Sequence, residues 1–198
     1  MLSLAKFSIG VDVLTKYVDW TDRSVCVLFG DGAGAVIVEA AENTERGVLD
    51  TALMADGAGG KFINFEYGGS LHPVRDPASL AYRQSIFMAG QETYKFAVNA
   101  MGDACNRALA KSGLSVNDVD LFVPHQANIR IIESAADRLK IPRDKVFVNV
   151  QKYGNTSGGS VPLALDEAVT SGRLQPGMIA MTVGFGAGLV WGANIIRW

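Results

Sequence analysis

Cysteine is scarce in this chain, with only Cys26 and Cys105 among 198 residues. Two thiols in unrelated contexts exclude a disulfide scaffold and a cysteine zinc cluster, and they fit a reducing compartment. An excess of one charge is also missing. The 18 basic and 20 acidic residues leave a net charge of −2, which offers no surface for nucleic acid. Charged residues make up 19% and hydrophobic ones 48%, which excludes disorder and fits buried sheet. Lys6 and Asp12 break the apolar stretch 1–14, so that stretch is not expected to be the apolar region of a signal peptide. Residues 178–196 carry no charge and are long enough to span a bilayer. Gly184, Gly186, Gly188 and Gly192, set among β-branched residues, instead predict two buried strands joined by a glycine turn.

The rest is organised around residues 120–130. Leu121-Phe122-Val123 reads as a short buried strand that stops at Pro124 and delivers His125. Asn128 is a good cap for a helix in which Ile129, Ile132 and Leu139 recur at helical spacing, ending near Lys140 before Pro142. Ligands of α/β sheets sit outside the carboxyl ends of strands, beside helix N-termini, so position 125 is one where chemistry is done. The plain alternative is a histidine that only caps a strand end.

Strands are predicted at 7–14, 25–29, 35–40, 48–54, 146–150, 178–183 and 189–197, with an acidic linker at 41–46. The glycine-rich stretch 56–85 is a long loop of the lid or binding kind. A helix over 85–112 buries Phe87, Tyr94, Val98, Met101, Ala108 and Leu109 and ends at Gly113. Another, over 155–170, is entered through Gly154-Asn155-Thr156-Ser157-Gly158-Gly159-Ser160. Gly30-Asp31-Gly32-Ala33-Gly34 reads as a tight turn and recurs as Gly184-Phe185-Gly186-Ala187-Gly188, which predicts two similar halves, each ending in a strand–turn–strand unit. On this reading residues 1–45 are the tail of a first half and 46–198 a complete second half. Asn155 occupies the same setting as His125, after one strand and before one helix, although it too is explained as a cap. A neutral imidazole and a carboxamide side by side can hydrogen-bond a carbonyl oxygen as it becomes an enolate. The turn at Gly186-Ala187 adds backbone N–H groups at the same edge.

His125-Gln126-Ala127-Asn128, Gly154-Asn155-Thr156-Ser157, Phe29-Gly30-Asp31-Gly32-Ala33-Gly34 and the closing glycine run 184–192 resemble the beta-ketoacyl-acyl-carrier-protein synthase III family of the thiolase superfamily, over nearly the whole chain from about Phe7. Asparagine at 155, where the elongating synthases use a second histidine, resembles type III enzymes and chalcone synthases. The His-Gln-Ala-Asn wording favours type III. The resemblance implies an α/β, thiolase-like fold: the C-terminal βαβαβαββ half plus the tail of the N-terminal half. It implies a cytoplasmic homodimer that uses no cofactor or metal and condenses acyl-CoA with malonyl-acyl carrier protein by decarboxylative Claisen chemistry.

The resemblance further implies His125 and Asn155 as catalytic donors to the malonyl thioester carbonyl, and Gly186-Ala187 as the oxyanion turn, with Ala187 replacing the usual glycine. Phe185 would lie against the cavity, Arg23 on the CoA adenine, and Gly90, Ala127 and Asn128 along the pantetheine channel. Lys95, Arg130 and Arg138 would dock the carrier protein, with a solvated helix face as the plain alternative. The family's nucleophilic cysteine lies upstream of Phe7. Cys26, read as strand core, and Cys105, on the 85–112 helix, do not replace it. The expectation is therefore an incomplete chain that does not condense alone. The alternatives are a silent partner of a cysteine-bearing chain, or a relative that primes polyketide synthesis.

Overall fold

The computed structural model describes residues 5–40 and 45–198; positions 41–44 of the expected linker lie outside them. Its centre is a four-stranded sheet made of β3 (Gly47–Ala55), β6 (Leu121–Pro124), β7 (Ile179–Gly186) and β8 (Val190–Arg197), in the order β3-β8-β7-β6. β6 runs parallel to β7, with Leu121 opposite Ala180 and Pro124 opposite Val183, and β8 is antiparallel to both of its neighbours. The uncharged run near the C-terminus is thus two paired strands, as expected. Among the described residues no helix is long and apolar enough to cross a membrane.

The two-residue period of β6 decides what covers each face. Phe122 joins Met181, Val183 and Ile195 in one core with α1 (Gly90–Ser112) and α2 (Ile129–Leu139), which contribute Met101, Ala104 and Ala108, and Ile132 and Ala136. Leu121 and Val123 point the other way, to Ala164, Leu165 and Ala168 of α4 (Ser160–Thr170). Both faces being covered, β6 is buried along its length.

β1 (Lys6–Asp12) and β2 (Gly32–Val38) form a separate antiparallel pair, Gly10 opposite Gly34. Here three expectations fail. The predicted turn at Gly30–Gly34 is not a turn, because Gly32 and Gly34 lie inside β2. Their glycines serve close approach: a Cβ on Gly10 would stand 2.0 Å from the Gly158 carbonyl oxygen, and one on Gly34 2.7 Å from Pro162 Cβ. The match with 184–188 therefore equates the start of one strand with the end of another and the turn beyond it, so the expected tight turn is not repeated. Of the strand predicted at 25–29, residues 25–28 are a run of turns, with Val25 N–H donating to the Asp22 carbonyl at 3.1 Å and Leu28 N–H to that of Val25 at 3.1 Å, and Phe29 alone keeps a parallel bridge, to Asn155. Asp19 and Asp22 start this run by accepting from the backbone N–H two residues on, each at 2.9 Å. Cys26 is consequently half-buried on a turn and does not sit in a strand core.

Other boundaries shift as well. β4 (Ile63–Asn64) pairs with β5 (Phe87–Met88), so α1 starts at Gly90 and not at 85, and it ends at Gly113 with φ 70° as expected. The strand predicted at 146–150 shrinks to a single parallel bridge, Phe122 to Val146, followed by the one-turn helix α3 (Val150–Tyr153). The helix predicted from 155 begins at Ser160, behind a tight 3-10 turn at Ser157–Gly159. Phe7, Ile9 and Val11 of β1 and Ile37 of β2 are each at least 60% exposed and share one face of their ribbon, an apolar patch of the kind that binds another surface.

Candidate active site

A cavity of about 450 Å³ opens at the carboxyl ends of β6 and β7. His125, Asn155, Phe185, Gly186 and Ala187 all line it, and so do Gly90, Ala127 and Asn128. Residues that are distant in sequence and were singled out for one reaction therefore share one wall.

His125 sits immediately after β6. Its backbone N–H donates to the Val183 carbonyl at 2.7 Å, extending the parallel ladder past Pro124 and fixing the residue at the sheet edge. The ring meets Phe185 edge-on at 5.4 Å, and Phe185 leans on Phe96 at 6.2 Å. Nδ1 lies 2.5 Å from Ser160 Oγ, which leaves Nε2 for the cavity. Burial disfavours the cation and lowers the pKa from 6.5 to about 4, so the imidazole is neutral at neutral pH.

That shift has a consequence for stability. Between about pH 4 and 6.5 the unfolded chain binds a proton here that the folded chain does not, so this contribution is complete above 6.5 and is lost as pH falls towards 4. A urea titration of the chain against a His125→Asn variant should show their stability difference falling by roughly 3 kcal/mol across that window. A difference that stays constant with pH would contradict the buried neutral state.

Asn155 is held by backbone on both sides. Its N–H donates to the Leu28 carbonyl at 2.9 Å, and its own carbonyl accepts from Gly30 N–H at 2.9 Å. Gly154 precedes it at φ 69°, ψ −163°, a conformation essentially confined to glycine. The carboxamide is oriented too, because Oδ1 accepts from Ser157 N–H at 2.9 Å. Among the described residues Nδ2 has no hydrogen-bond partner, and Asn155 lines the cavity.

The turn after β7 is pinned to residue 56. Asp56 and Leu189 exchange reciprocal backbone bonds, each 2.8 Å long. Ala187 does not have positive φ, so alanine sits where glycine was expected without backbone strain.

Gln126 received no role from the sequence, yet it ties the segment that carries His125 to residues 147–150. It is 1% exposed, and its amide is fully used. Nε2 donates to the carbonyls of Pro124 at 2.8 Å and Phe147 at 3.2 Å, and Oε1 accepts from the N–H groups of Asn149 at 2.9 Å and Val150 at 3.2 Å. It thereby does for the 146–150 segment what strand pairing was predicted to do. The only available signal was a polar residue directly after an apolar strand.

Other sequence-selected residues lie elsewhere. Arg23 is exposed on its turn and does not line the cavity, although the adjacent Ser24 does. Lys95 is exposed on α1, and Arg130 and Arg138 on α2. Arg130, Ser134 and Arg138 follow one another at four-residue spacing and so form one stripe. Ser134 Oγ is 2.7 Å from the hydroxyl of Tyr94, the neighbour of Lys95. Among the described residues none of these three cations makes an ion pair. Neither cysteine lines the cavity, and burial pushes the Cys105 thiol far above its ordinary pKa, which makes it inert. No group of three His, Cys, Asp or Glu able to hold a metal occurs among the described residues.

Two family models match the chain: 3-oxoacyl-[acyl-carrier-protein] synthase III over residues 7–57, and its C-terminal part over residues 109–198. The beta-ketoacyl-[acyl-carrier-protein] synthase III of Caldanaerobacter subterraneus is 48% identical over 190 residues, which is 96% of this chain and 57% of that protein. The solved synthase III of Thermus thermophilus superposes with a TM-score of 0.89 at 43% identity, covering 98% of this chain and 59% of the other. The priming beta-ketosynthase of the R1128 polyketide pathway superposes at 0.85 with 36% identity, covering 97% and 57%. The chain spans somewhat more than half the length of these relatives.

Proposed function

This chain belongs to the beta-ketoacyl-[acyl-carrier-protein] synthase III family, with an α/β thiolase-like fold, and on that premise we propose that its cavity decarboxylates a malonyl thioester as the nucleophile-forming step of a Claisen condensation. The observation that carries the proposal is the pairing of two free donors in one cavity, His125 Nε2 and Asn155 Nδ2, with the imidazole held neutral and the carboxamide turned by Ser157. As the malonyl carboxylate leaves as carbon dioxide, its bonding electrons pass into the thioester, and the growing negative charge on the carbonyl oxygen is met by both donors. A neutral imidazole suits this work, since the step needs a hydrogen bond and no proton transfer. The enolate carbon then attacks the carbonyl carbon of an acyl thioester, whose oxygen is served by the backbone at Gly186-Ala187, and collapse of the tetrahedral adduct breaks the acyl C–S bond and releases the thiolate.

In the whole enzyme the substrates would be acyl-CoA and malonyl-acyl carrier protein, within a cytoplasmic homodimer. Residues 1–45 would belong to one thiolase half and 46–198 to the other. The exposed apolar face of β1 and β2 supports burial in such an assembly. Arg23 would meet the CoA nucleotide, and Gly90, Ala127 and Asn128 the pantetheine arm. Lys95, Arg130 and Arg138 would meet the acidic carrier protein. Replacing both Arg130 and Arg138 by Glu should weaken carrier-protein binding about tenfold at low salt and much less at high salt, read by calorimetry. Equal binding at every salt concentration would remove this surface from the account.

Because neither thiol reaches the cavity, the chain alone should release carbon dioxide from malonyl-CoA without joining it to an acyl group. Labelled malonyl-CoA tests both halves of that statement. Absence of carbon dioxide release contradicts the donor pair, and a condensed product contradicts the placement of the nucleophile. A silent companion to a cysteine-bearing chain, or a polyketide-priming enzyme, would use the same donors. The likeness to the R1128 enzyme favours testing the second, by acyl-donor preference.

A further inference from the structure

We propose that Ser160 is a positioning residue that fixes the tautomer of His125, so that Nε2 carries the proton turned toward substrate; this rests on the reading of His125 as a carbonyl donor. The number of protons available to three buried groups decides the tautomer. Ser160 is the first residue of α4 and is 2% exposed. Its Oγ lies 2.5 Å from His125 Nδ1 and 3.3 Å from the Gln126 backbone nitrogen, and it bonds to no carbonyl among the described residues. The Gln126 N–H can only donate, so Oγ accepts there. If Nδ1 also carried a proton, Oγ would accept twice and the hydroxyl proton would be buried without an acceptor. If Nδ1 is bare, the hydroxyl donates to it and all three groups are satisfied. The ring's one proton is then on Nε2, the nitrogen left to the cavity.

The position of Ser160 traces back to the glycines of β2. The preceding Gly159 sits where a Cβ would be 3.1 Å from the carbonyl of Gly32, so the start of α4 is seated directly on that strand. The β1–β2 ribbon thus supports the imidazole through the start of α4, without a hydrogen bond of its own to the ring among the described residues.

The chain has two histidines, His72 and His125, so long-range proton–nitrogen NMR correlations of the labelled protein at neutral pH assign the tautomer directly. The expected result is Nε2–H at His125, a mixture of tautomers in Ser160→Ala, and retention of Nε2–H in Ser160→Thr, which keeps the hydroxyl. Malonyl-CoA decarboxylation by Ser160→Ala should fall about tenfold in kcat with little change in KM. Nδ1–H in the unmodified chain, or a pure Nε2–H form that survives Ser160→Ala, overturns the proposal. If the alanine variant does not fold, the spectra of the unmodified chain and of the threonine variant decide it. A Ser160-dependent Nε2–H tautomer in a chain that does not decarboxylate malonyl-CoA would refute the function while leaving the positioning role intact.

Discussion

The His125→Ala chain should release carbon dioxide from malonyl-CoA on the order of 10²–10³-fold more slowly than the unmodified chain, the usual cost of removing one oriented donor from a developing oxyanion. The effect is large because the site invests heavily in this ring. The imidazole is buried beside Phe185, bonded on one side to Ser160, and held neutral by desolvation with its pKa near 4. Water entering the space left by alanine would donate less well, because nothing orients it in advance. Asn155→Ala should cost a similar factor, since its carboxamide is aimed by the Ser157 N–H. The double variant should be less impaired than the product of the two single losses, because each donor depends on the other to place the carbonyl. Carbon dioxide release by His125→Ala within about threefold of the unmodified chain would mean that the ring only caps its strand.

Gln126→Leu is the second large effect. Leucine is close in volume but takes away the bonds that Gln126 makes to four backbone groups: the N–H groups of Asn149 and half-buried Val150 and the carbonyls of Pro124 and Phe147. The expected loss is roughly 3–5 kcal/mol in the urea-unfolding free energy, with decarboxylation falling as well although Gln126 does not line the cavity. A leucine variant of unchanged stability would show that the 146–150 segment is held by its apolar contacts alone.

The sheet edge that carries His125 was legible because its elements announce themselves locally. An apolar strand stopped by Pro124, the Asn128 cap and Gly113 beyond α1 were all found where expected. The two strands of the N-terminal ribbon were legible as well, but its glycines at 30–34 were misread as a turn, since glycine has two uses that look alike in sequence. At Gly113 it supplies a positive φ, whereas at Gly10, Gly32 and Gly34 it makes room for residues 156–162, which are distant in the chain. Residues 25–28 carry a strand's apolar pattern, but Asp19 and Asp22 coil their backbone into turns by local bonds. Residues 146–150 carry the same pattern, and there the side chain of Gln126 takes the backbone N–H groups that a further strand would have used. Gln126 and Ser160 stood inside quoted motifs without a role, because their importance lies in whom they bond and not in where they fall.

The central claim, that one substrate oxygen receives hydrogen bonds from both His125 and Asn155, is tested most directly by isotope-edited infrared spectroscopy of a bound, non-decarboxylating malonyl thioester analogue labelled at its carbonyl. The account predicts a carbonyl stretch below its value in water, partly restored by His125→Ala or Asn155→Ala and fully restored when both are changed. A bound carbonyl at its solution frequency, or one that shifts for only one of the two single variants, would contradict it.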